Sequence, residues 1–130
     1  MPYLQLDLNG FSTQQEKKRL AAAMSKTYAR MMSVEIQWIT VAIHNLSEGA
    51  IWRTSQKGDL EPASVLLLDI RRGRTPELRL ELAKALCADC AKILRRPEDH
   101  FNVVFTQHAG DEMYHANLGG YSPEWKPPEG

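Results

Sequence analysis

The chain has 130 residues, and its 16 basic and 16 acidic side chains cancel. This length fits one domain, and the balanced charge offers no basic face to a nucleic acid or a membrane surface. No apolar run approaches the ~20 residues that a membrane-spanning helix needs, and Asp7 interrupts the N-terminus where a signal peptide would be apolar. We therefore expect one domain over residues 1–130, located in the cytoplasm, with neither nucleic acid nor membrane as a partner.

The first three predicted elements are a strand, a helix and a strand. Residues 3–8 alternate between polar and apolar side chains, as a half-buried strand does. After a turn at residues 9–10, Ser12 or Thr13 can cap a helix that precedes a second strand at residues 38–43. The residues expected on the buried face of this helix are Leu20, Met24, Thr27 and Met31.

The second half of the chain predicts the same order of elements. A strand is expected at residues 64–70, then a helix capped by Thr75 with a proline directly after the cap, then a last strand at residues 102–106. Residues 46–63 form an irregular connection between the halves, with a short strand at 51–53. The residues expected on the buried face of the second helix are Leu78, Leu82, Leu86, Cys90 and Ile93.

The two halves form an internal repeat. They align when the sequence is shifted by 62 residues, so that residues 6–8 fall on residues 68–70. Repeat one spans about residues 2–62 and repeat two about residues 64–118. Two strand–helix–strand units with right-handed crossovers predict an α+β fold, in which both helices cover one face of a four-stranded sheet. A generic ferredoxin-like module is the alternative.

Two features indicate contacts beyond this core. Residues 65–68 are apolar enough for their strand to be covered on both faces. The tail at residues 119–130 is rich in glycine and proline, so no helix is expected there. Its Tyr121 and Trp125 suggest that it packs on something, such as a neighbouring subunit.

The cysteine and histidine residues do not predict a metal or redox centre. Cys87 and Cys90 lie within a predicted helix, whereas a structural zinc site needs four ligands and a redox pair sits at a helix start. Two cysteines are also too few for a disulfide framework, which agrees with a reducing compartment. We expect the two thiols to pack and no metal or cofactor to be bound. No metal-ligand spacing relates the histidines, which are His44, His100, His108 and His115.

Pro2 interrupts the repeat, because it aligns with Ser64. Removal of Met1 would leave Pro2 with a free secondary amine at the start of a strand. A terminal α-amine has a pKa of about 7.7–8.0, and burial or nearby positive charge lowers it. Such an amine is a good general base near neutral pH without a metal or cofactor. The alternative is that Pro2 only begins an edge strand, where its missing N–H costs nothing.

Three arginines follow the strand that is predicted to lie beside Pro2. They are Arg71, Arg72 and Arg74. Guanidinium groups stay charged and bind carboxylates in a bidentate way. A cluster here would hold an anionic substrate and would help to lower the pKa of the proline amine. The alternative is a solvated basic turn before the helix cap.

The proline, the repeat and the arginine turn resemble the tautomerase superfamily. The similarity covers about residues 2–118 and is most specific over residues 69–75; the long-chain members cis-3-chloroacrylic acid dehalogenase and malonate semialdehyde decarboxylase are the most alike. The resemblance implies a homotrimer with an amino-terminal proline at the floor of each of three active sites. It also implies a small carboxylate substrate.

The resemblance assigns roles to particular residues. Pro2 stands where these enzymes have the catalytic proline. Arg71 and Arg74 match the dehalogenase's substrate-binding pair, and Arg72 and Arg74 match the decarboxylase's pair, so Arg74 is common to both. The first residue of the predicted second strand, Trp38, is interpreted as a wall of the pocket or, alternatively, as packing in the core or at a subunit interface.

The sequence also departs from these enzymes. Tyr28 stands in place of the dehalogenase's helix histidine, where it can donate a hydrogen bond to substrate or simply cover the sheet. Val104 replaces its tyrosine, and His115 stands in place of its water-activating glutamate, where it can act as a proton donor. Ile36 lies near the position of the decarboxylase's aspartate. These changes disfavour dehalogenation and decarboxylation and leave proton shuttling.

The sequence therefore predicts a cofactor-independent keto–enol tautomerase, an isomerase that acts on a small 2-oxo acid with Pro2 as general base. Promiscuous lyase or dehalogenase activity is compatible with this assignment. One alternative is a hydratase or dehalogenase of 3-haloacrylic or acetylenic acids. The other is a non-catalytic trimeric binding protein, in which Met1 is retained and the nitrogen of Pro2 is an amide.

Overall fold

A computed structural model describes residues 2–121 of the chain. Met1 and residues 122–130, including Trp125, lie outside the described residues. The helices and strands are β1 (Tyr3–Asn9), α1 (Gln14–Met32), β2 (Thr40–Leu46), β3 (Trp52–Thr54), β4 (Leu60–Pro62), β5 (Ser64–Arg71), α2 (Pro76–Leu94) and β6 (Phe101–His108). Single turns of 3-10 helix lie at Ile36–Trp38, Glu98–His100, Gly110–Glu112 and Ala116–Leu118.

The two helices repeat with the offset of 62 residues seen in the sequence. Gln14 and Pro76 begin them, and Met32 and Leu94 end them. Each helix is followed by a residue in the left-handed conformation, with φ of 56° and 57°, and each is preceded by a threonine whose hydroxyl accepts a backbone hydrogen bond. The local signals that start and stop the helix are thus encoded twice in the chain.

The main sheet has the strand order β2-β1-β5-β6. Neighbouring strands within each repeat, β1 with β2 and β5 with β6, are parallel, while β1 and β5 at the centre are antiparallel. Tyr3 lies opposite Asp69 in this central pair, and Asp7 lies opposite Val65. The predicted four-stranded α+β architecture is therefore confirmed, and the central pair joins the two repeats.

Both helices pack on one face of the sheet. Alternate side chains of β1 and β5 point into this layer, where they are fully buried. Met31 and Leu78, which were expected on the buried helix faces, are half-buried, and Met32 and Ala91 lie in the core instead. The other core residues include Leu4, Leu6, Leu8, Leu20, Met24, Tyr28, Leu66, Leu68, Ile70, Leu82, Leu86, Cys90 and Ile93.

The other side of the sheet, which we call the open face, carries the remaining side chains of each strand. Val65 and Leu67 are only half-buried there, so the helices cover the apolar run at residues 65–68 on one side alone. Val104 on the same face is 48% exposed. The open face also carries polar side chains, among them Tyr3, Gln5, Asp7, Asp69, Arg71, Thr106 and His108.

Two parts of the prediction were wrong. Trp38 does not begin a strand, because hydrogen bonds from its N–H to Glu35 and from Ile39 to Ile36 close a 3-10 turn before β2. The connection between the repeats contains a hairpin, β3 with β4, rather than one short strand. β4 is three residues long and ends in a proline, so it carries too little alternation to be recognised from the sequence.

Neither α1 nor α2 is long and apolar enough to cross a membrane.

A hydrogen-bonded clamp joins the ends of three elements away from Pro2. Arg96 Nη1 donates to the carbonyl of Asn9 (2.8 Å) and to His100 Nε2 (2.9 Å). Ser64 Oγ lies 2.8 Å from the same nitrogen and accepts a bond from the N–H of Asn9 (2.9 Å). A guanidinium can only donate, so His100 Nε2 is an acceptor and the ring is neutral.

The clamp makes stability depend on pH. Burial lowers the pKa of His100, the charges of Arg96 and Arg53 lower it further, and Asp99 opposes them. The unfolded chain therefore binds the proton more readily, and folding stability is lost as pH falls through about 6.5 toward the folded-state pKa.

We expect His100→Gln to reduce this pH dependence, because glutamine keeps an acceptor near Arg96 but does not titrate. Thermal unfolding of both proteins at pH 7.5, 6.5 and 5.5 measures the effect. The wild type should lose more stability than the variant across this range. Parallel curves for the two proteins would contradict the assignment of a neutral His100.

Candidate active site

The start of β1 and the end of β5 meet at one edge of the sheet, which we call the Pro2 end. Pro2 is buried there, and its carbonyl accepts a hydrogen bond from Thr40, the first residue of β2 (3.1 Å). Since Tyr3 lies opposite Asp69, Pro2 lies beside the last residues of β5. β6 ends at the same edge, where His108 lies opposite Arg71.

The three predicted arginines diverge from this edge. Arg71 is the last residue of β5, half-buried on the open face. Arg72 forms an ion pair with Glu112 at 3.2 Å, in which both side chains are about half exposed. An ion pair this exposed contributes little to stability, so the exposed guanidinium of Arg72 is only weakly fixed.

Arg74 is held against the first helix. Its Nη2 donates to the carbonyl of Met32, the last residue of α1, at 3.0 Å. A cation at a helix C-terminus also interacts favourably with the helix dipole. One of the five N–H donors of the guanidinium is used in this contact, so Arg74 supports α1 and keeps donors that an anion could use. Arg79 in turn donates to the Arg74 carbonyl at 2.7 Å, which fixes this turn before α2.

The other predicted site residues lie in different surroundings. Tyr28, on the last turns of α1, is 2% exposed within the core between helix and sheet. Trp38 is half-buried in the 3-10 turn that leads into β2 at the Pro2 end. His115 is half-buried beyond β6, where its backbone N–H donates to Gly120 (2.8 Å) and its carbonyl accepts from Leu118 (3.0 Å).

A pair of polar residues at the Pro2 end was missed by sequence reasoning. His108 Nδ1 lies 3.0 Å from Asp69 Oδ1, which also accepts a hydrogen bond from Thr106 (2.8 Å). The His108 side chain is 7% exposed. The predicted last strand stops at residue 106, but β6 continues through His108. That extension brings the imidazole into register with Arg71, and no local sequence signal announces it.

The cysteines do not form a competing centre. Burial raises the pKa of Cys90 to about 12 and also raises that of Cys87, so both thiols stay protonated. Within residues 2–121, no group of three or more histidine, cysteine or acidic side chains is arranged to hold a metal.

A cleft of about 490 Å³ opens at the opposite edge of the sheet, beside the Arg96 and His100 clamp, with Phe11 and Trp52 on its rim.

No protein family profile and no curated protein matches the sequence, whereas solved structures match most of it. N1, a member of the cis-3-chloroacrylic acid dehalogenase family, aligns with a TM-score of 0.77 and 21% identity, over 94% of this chain and 84% of N1. Pt0534, inactivated by 2-oxo-3-pentynoate, aligns with a TM-score of 0.74 and 23% identity, over 92% and 94% of the two chains. A fused 4-OT that is a symmetric trimer has a TM-score of 0.75 at 19% identity, over 88% and 92%.

These neighbours are tautomerase-superfamily proteins. The likeness extends through both repeats and agrees with the resemblance that the sequence itself suggested. At 19–23% identity, this likeness shows that the helices and strands are arranged alike. The chain therefore has the fold of the tautomerase superfamily.

Proposed function

We propose that the chain is a cofactor-independent keto–enol tautomerase that acts on a small 2-oxo acid. The general base is the amine of Pro2, freed by removal of Met1. The observation that carries this proposal is the antiparallel register of β1 and β5, because it sets Pro2 beside the arginine-bearing end of β5. A secondary amine near a guanidinium, in a buried position, is expected to have a lowered pKa and to be neutral near pH 7.

The arginines would bind the substrate carboxylate and polarise the adjacent oxygen. Arg74 acts in this role with Arg71 or Arg72. The structure favours Arg71 as the second arginine of the pair. Arg71 lies on the open face, on the strand that pairs with β1, whereas Arg72 is exposed and paired with Glu112. Neutral Pro2 takes a proton from one atom of the bound acid and returns it to another.

The remaining predicted residues surround this centre in our proposal. Trp38 would form a wall at the start of β2. The Tyr28 hydroxyl would donate a hydrogen bond from beneath, and His115 would donate a proton from the segment after β6. Since Tyr28 is almost fully buried, its contact with substrate requires the pocket to reach the core. Its alternative role, covering the sheet, agrees with its place in the core cluster.

We further propose a homotrimer, each copy a single domain. One structural neighbour is a symmetric trimer. The open face supports this assembly, because its apolar residues Val65, Leu67 and Val104 are only partly covered within one copy. A neighbouring copy on this face would bury them and would exclude water from the Pro2 end, which strengthens electrostatic interactions with substrate.

A second candidate reaction is hydration or dehalogenation of an acetylenic or 3-haloacrylic acid. The likeness to N1 favours it. Val104 and His115 stand where the resemblance implies a tyrosine and a water-activating glutamate. This reaction is therefore expected to be slow, with chloride release from 3-chloroacrylate as its measure.

The amine of Pro2 can be tested by blocking it. An N-terminal extension that is not removed turns the Pro2 nitrogen into an amide, and we expect ketonisation of phenylenolpyruvate to fall by roughly 10²- to 10⁴-fold. Pro2→Ala keeps a terminal amine but loses the secondary amine, so a smaller fall is expected. Wild-type rates in both variants would exclude proline as the base.

The state of the N-terminus can be tested by mass. The natively produced protein should be lighter than its full sequence by one methionine. Treatment with 2-oxo-3-pentynoate, the compound that inactivated Pt0534, should add its mass to the N-terminal peptide, because an amine attacks the electron-poor alkyne. A retained methionine would instead favour the non-catalytic trimeric binding protein.

The arginines can be separated by their kinetics. We expect Arg71→Gln to raise KM for a 2-oxo acid by about 10- to 100-fold, because a hydrogen bond to a charged group contributes about 1.5–3 kcal/mol. Arg74→Gln should raise KM and also lower the melting temperature, since its bond to Met32 is lost. Arg72→Gln should have the smallest effect, and the exposed Arg19→Gln on α1 is the control. Equal effects of all four would contradict a specific carboxylate site.

A further inference from the structure

We propose that His108, oriented by Asp69, is a second catalytic residue at the Pro2 end and exchanges the proton on the substrate oxygen. This role rests on the proposed tautomerase function. It adds a group that neither the arginine turn nor the family resemblance indicated. The evidence is the burial of His108, the unused nitrogen of its ring and its register with Arg71.

The Asp69–His108 pair fixes the ring and its tautomer. Asp69 Oδ1 lies 3.0 Å from His108 Nδ1 and also accepts a hydrogen bond from Thr106 at 2.8 Å. A carboxylate oxygen can only accept, so Nδ1 carries the hydrogen and Nε2 of the neutral ring carries the lone pair. This is the arrangement in which a carboxylate orients a histidine base.

The second ring nitrogen has no hydrogen-bond partner among residues 2–121. His108 Nε2 is buried and makes no hydrogen bond to any residue of the part of the chain that the structure describes. Buried polar atoms are nearly always hydrogen-bonded, and an unsatisfied one destabilises the fold. A nitrogen that is aligned by Asp69 and has no partner in the described part of the chain is suited to a bond with a ligand.

A comparable pair elsewhere in the chain shows that pairing alone does not require burial. His44 Nδ1 lies 3.0 Å from Asp7 Oδ1, the same distance as in the Asp69–His108 pair, and Asp7 is the repeat counterpart of Asp69. The His44 side chain is 50% exposed, against 7% for His108. Asp7 is also four residues along β1 from Tyr3, roughly 13 Å from the Pro2 end. The buried pair with the free nitrogen is the one near Pro2.

The strand order leaves room for substrate between the two groups. β5 separates β1 from β6, so the Pro2 and His108 backbones are about 10 Å apart at the usual strand spacing. Arg71 lies between them, opposite His108. A small 2-oxo acid with its carboxylate at Arg71 can therefore reach Pro2 with its carbon and His108 with its oxygen.

The proton transfers balance without any other reagent. In ketonisation, the enol hydroxyl gives its proton to His108 Nε2, and Asp69 stabilises the imidazolium. The proton then passes through water to the neutral amine of Pro2, which gives it to the enol carbon. The carbon–carbon double bond becomes the carbon–oxygen double bond of the ketone. Both groups are restored to their starting states.

The test compares matched glutamine variants of the two histidines. We expect His108→Gln to lower kcat for phenylenolpyruvate by about 10²-fold with KM changed less than about threefold. His44→Gln should keep both constants. Added imidazole should restore part of the activity of His108→Ala, because it can occupy the vacated space. A purely structural role for His108 would not give this rescue.

The outcomes separate this inference from the proposed function. A wild-type protein that neither ketonises the enol nor reacts with 2-oxo-3-pentynoate at Pro2 would remove the proposed function itself. With both wild-type results positive, a His108→Gln kcat within about threefold of wild type overturns the role of His108 alone. If that variant does not fold, as judged by its melting curve, Asp69→Asn serves instead. It should lower kcat without raising KM, and an unchanged kcat overturns the inference.

Discussion

The structure depends on the antiparallel pairing of β1 with β5, in which Tyr3 lies opposite Asp69. This pairing is the only strand contact in the main sheet, within residues 2–121, that joins the two repeats. It buries leucines of both strands under the helices and fixes the register, since a slip of one residue would turn those leucines to the open face. The same register places Pro2 beside the end of β5 that carries Arg71, one strand away from the end of β6. Core packing therefore positions the site.

The two repeats form equivalent units of helix and strands, but the two ends of the sheet carry different side chains. Both supply a capped helix of the same length and a parallel strand pair. One edge holds the clamp, in which hydrogen bonds join Arg96, His100 and Ser64. The other edge holds Pro2, Arg71 and a histidine nitrogen with no partner among the described residues. Satisfied polar groups stabilise the first edge, and the unpaired nitrogen of His108 makes the second suitable for a ligand.

The fold could be predicted from the sequence because its signals are local and occur twice. Thr13 and Thr75 cap the helices, and the leucines of the strands alternate as a sheet over a helical layer requires. Trp38 was misplaced because a 3-10 turn and the start of a strand look alike over three residues. Pro2 and Arg71 could be proposed from chemistry, but His108 could not. Its partner Asp69 is on another strand, and only the register brings the two together.

The divergence of the arginines also follows from tertiary contacts. Arg72 and Arg74 differ in their surroundings because Glu112 lies beyond β6 and the Met32 carbonyl ends α1. Neither partner is near the arginines in sequence. The spacing alone predicts a cluster, whereas the fold assigns one guanidinium to an ion pair and one to a helix end. Arg71, at the end of β5, is left on the open face next to β1.

The most direct test of Pro2 as a general base is a pH titration of its nitrogen, followed by NMR on protein labelled with ¹⁵N-proline. A free secondary amine beside Arg71 should titrate with a pKa below about 7.7, the lower end of the ordinary range for a terminal amine. It should therefore be largely neutral at pH 7.5. A nitrogen that shows no titration, or a pKa within or above the ordinary range, would contradict the role of Pro2 as the base.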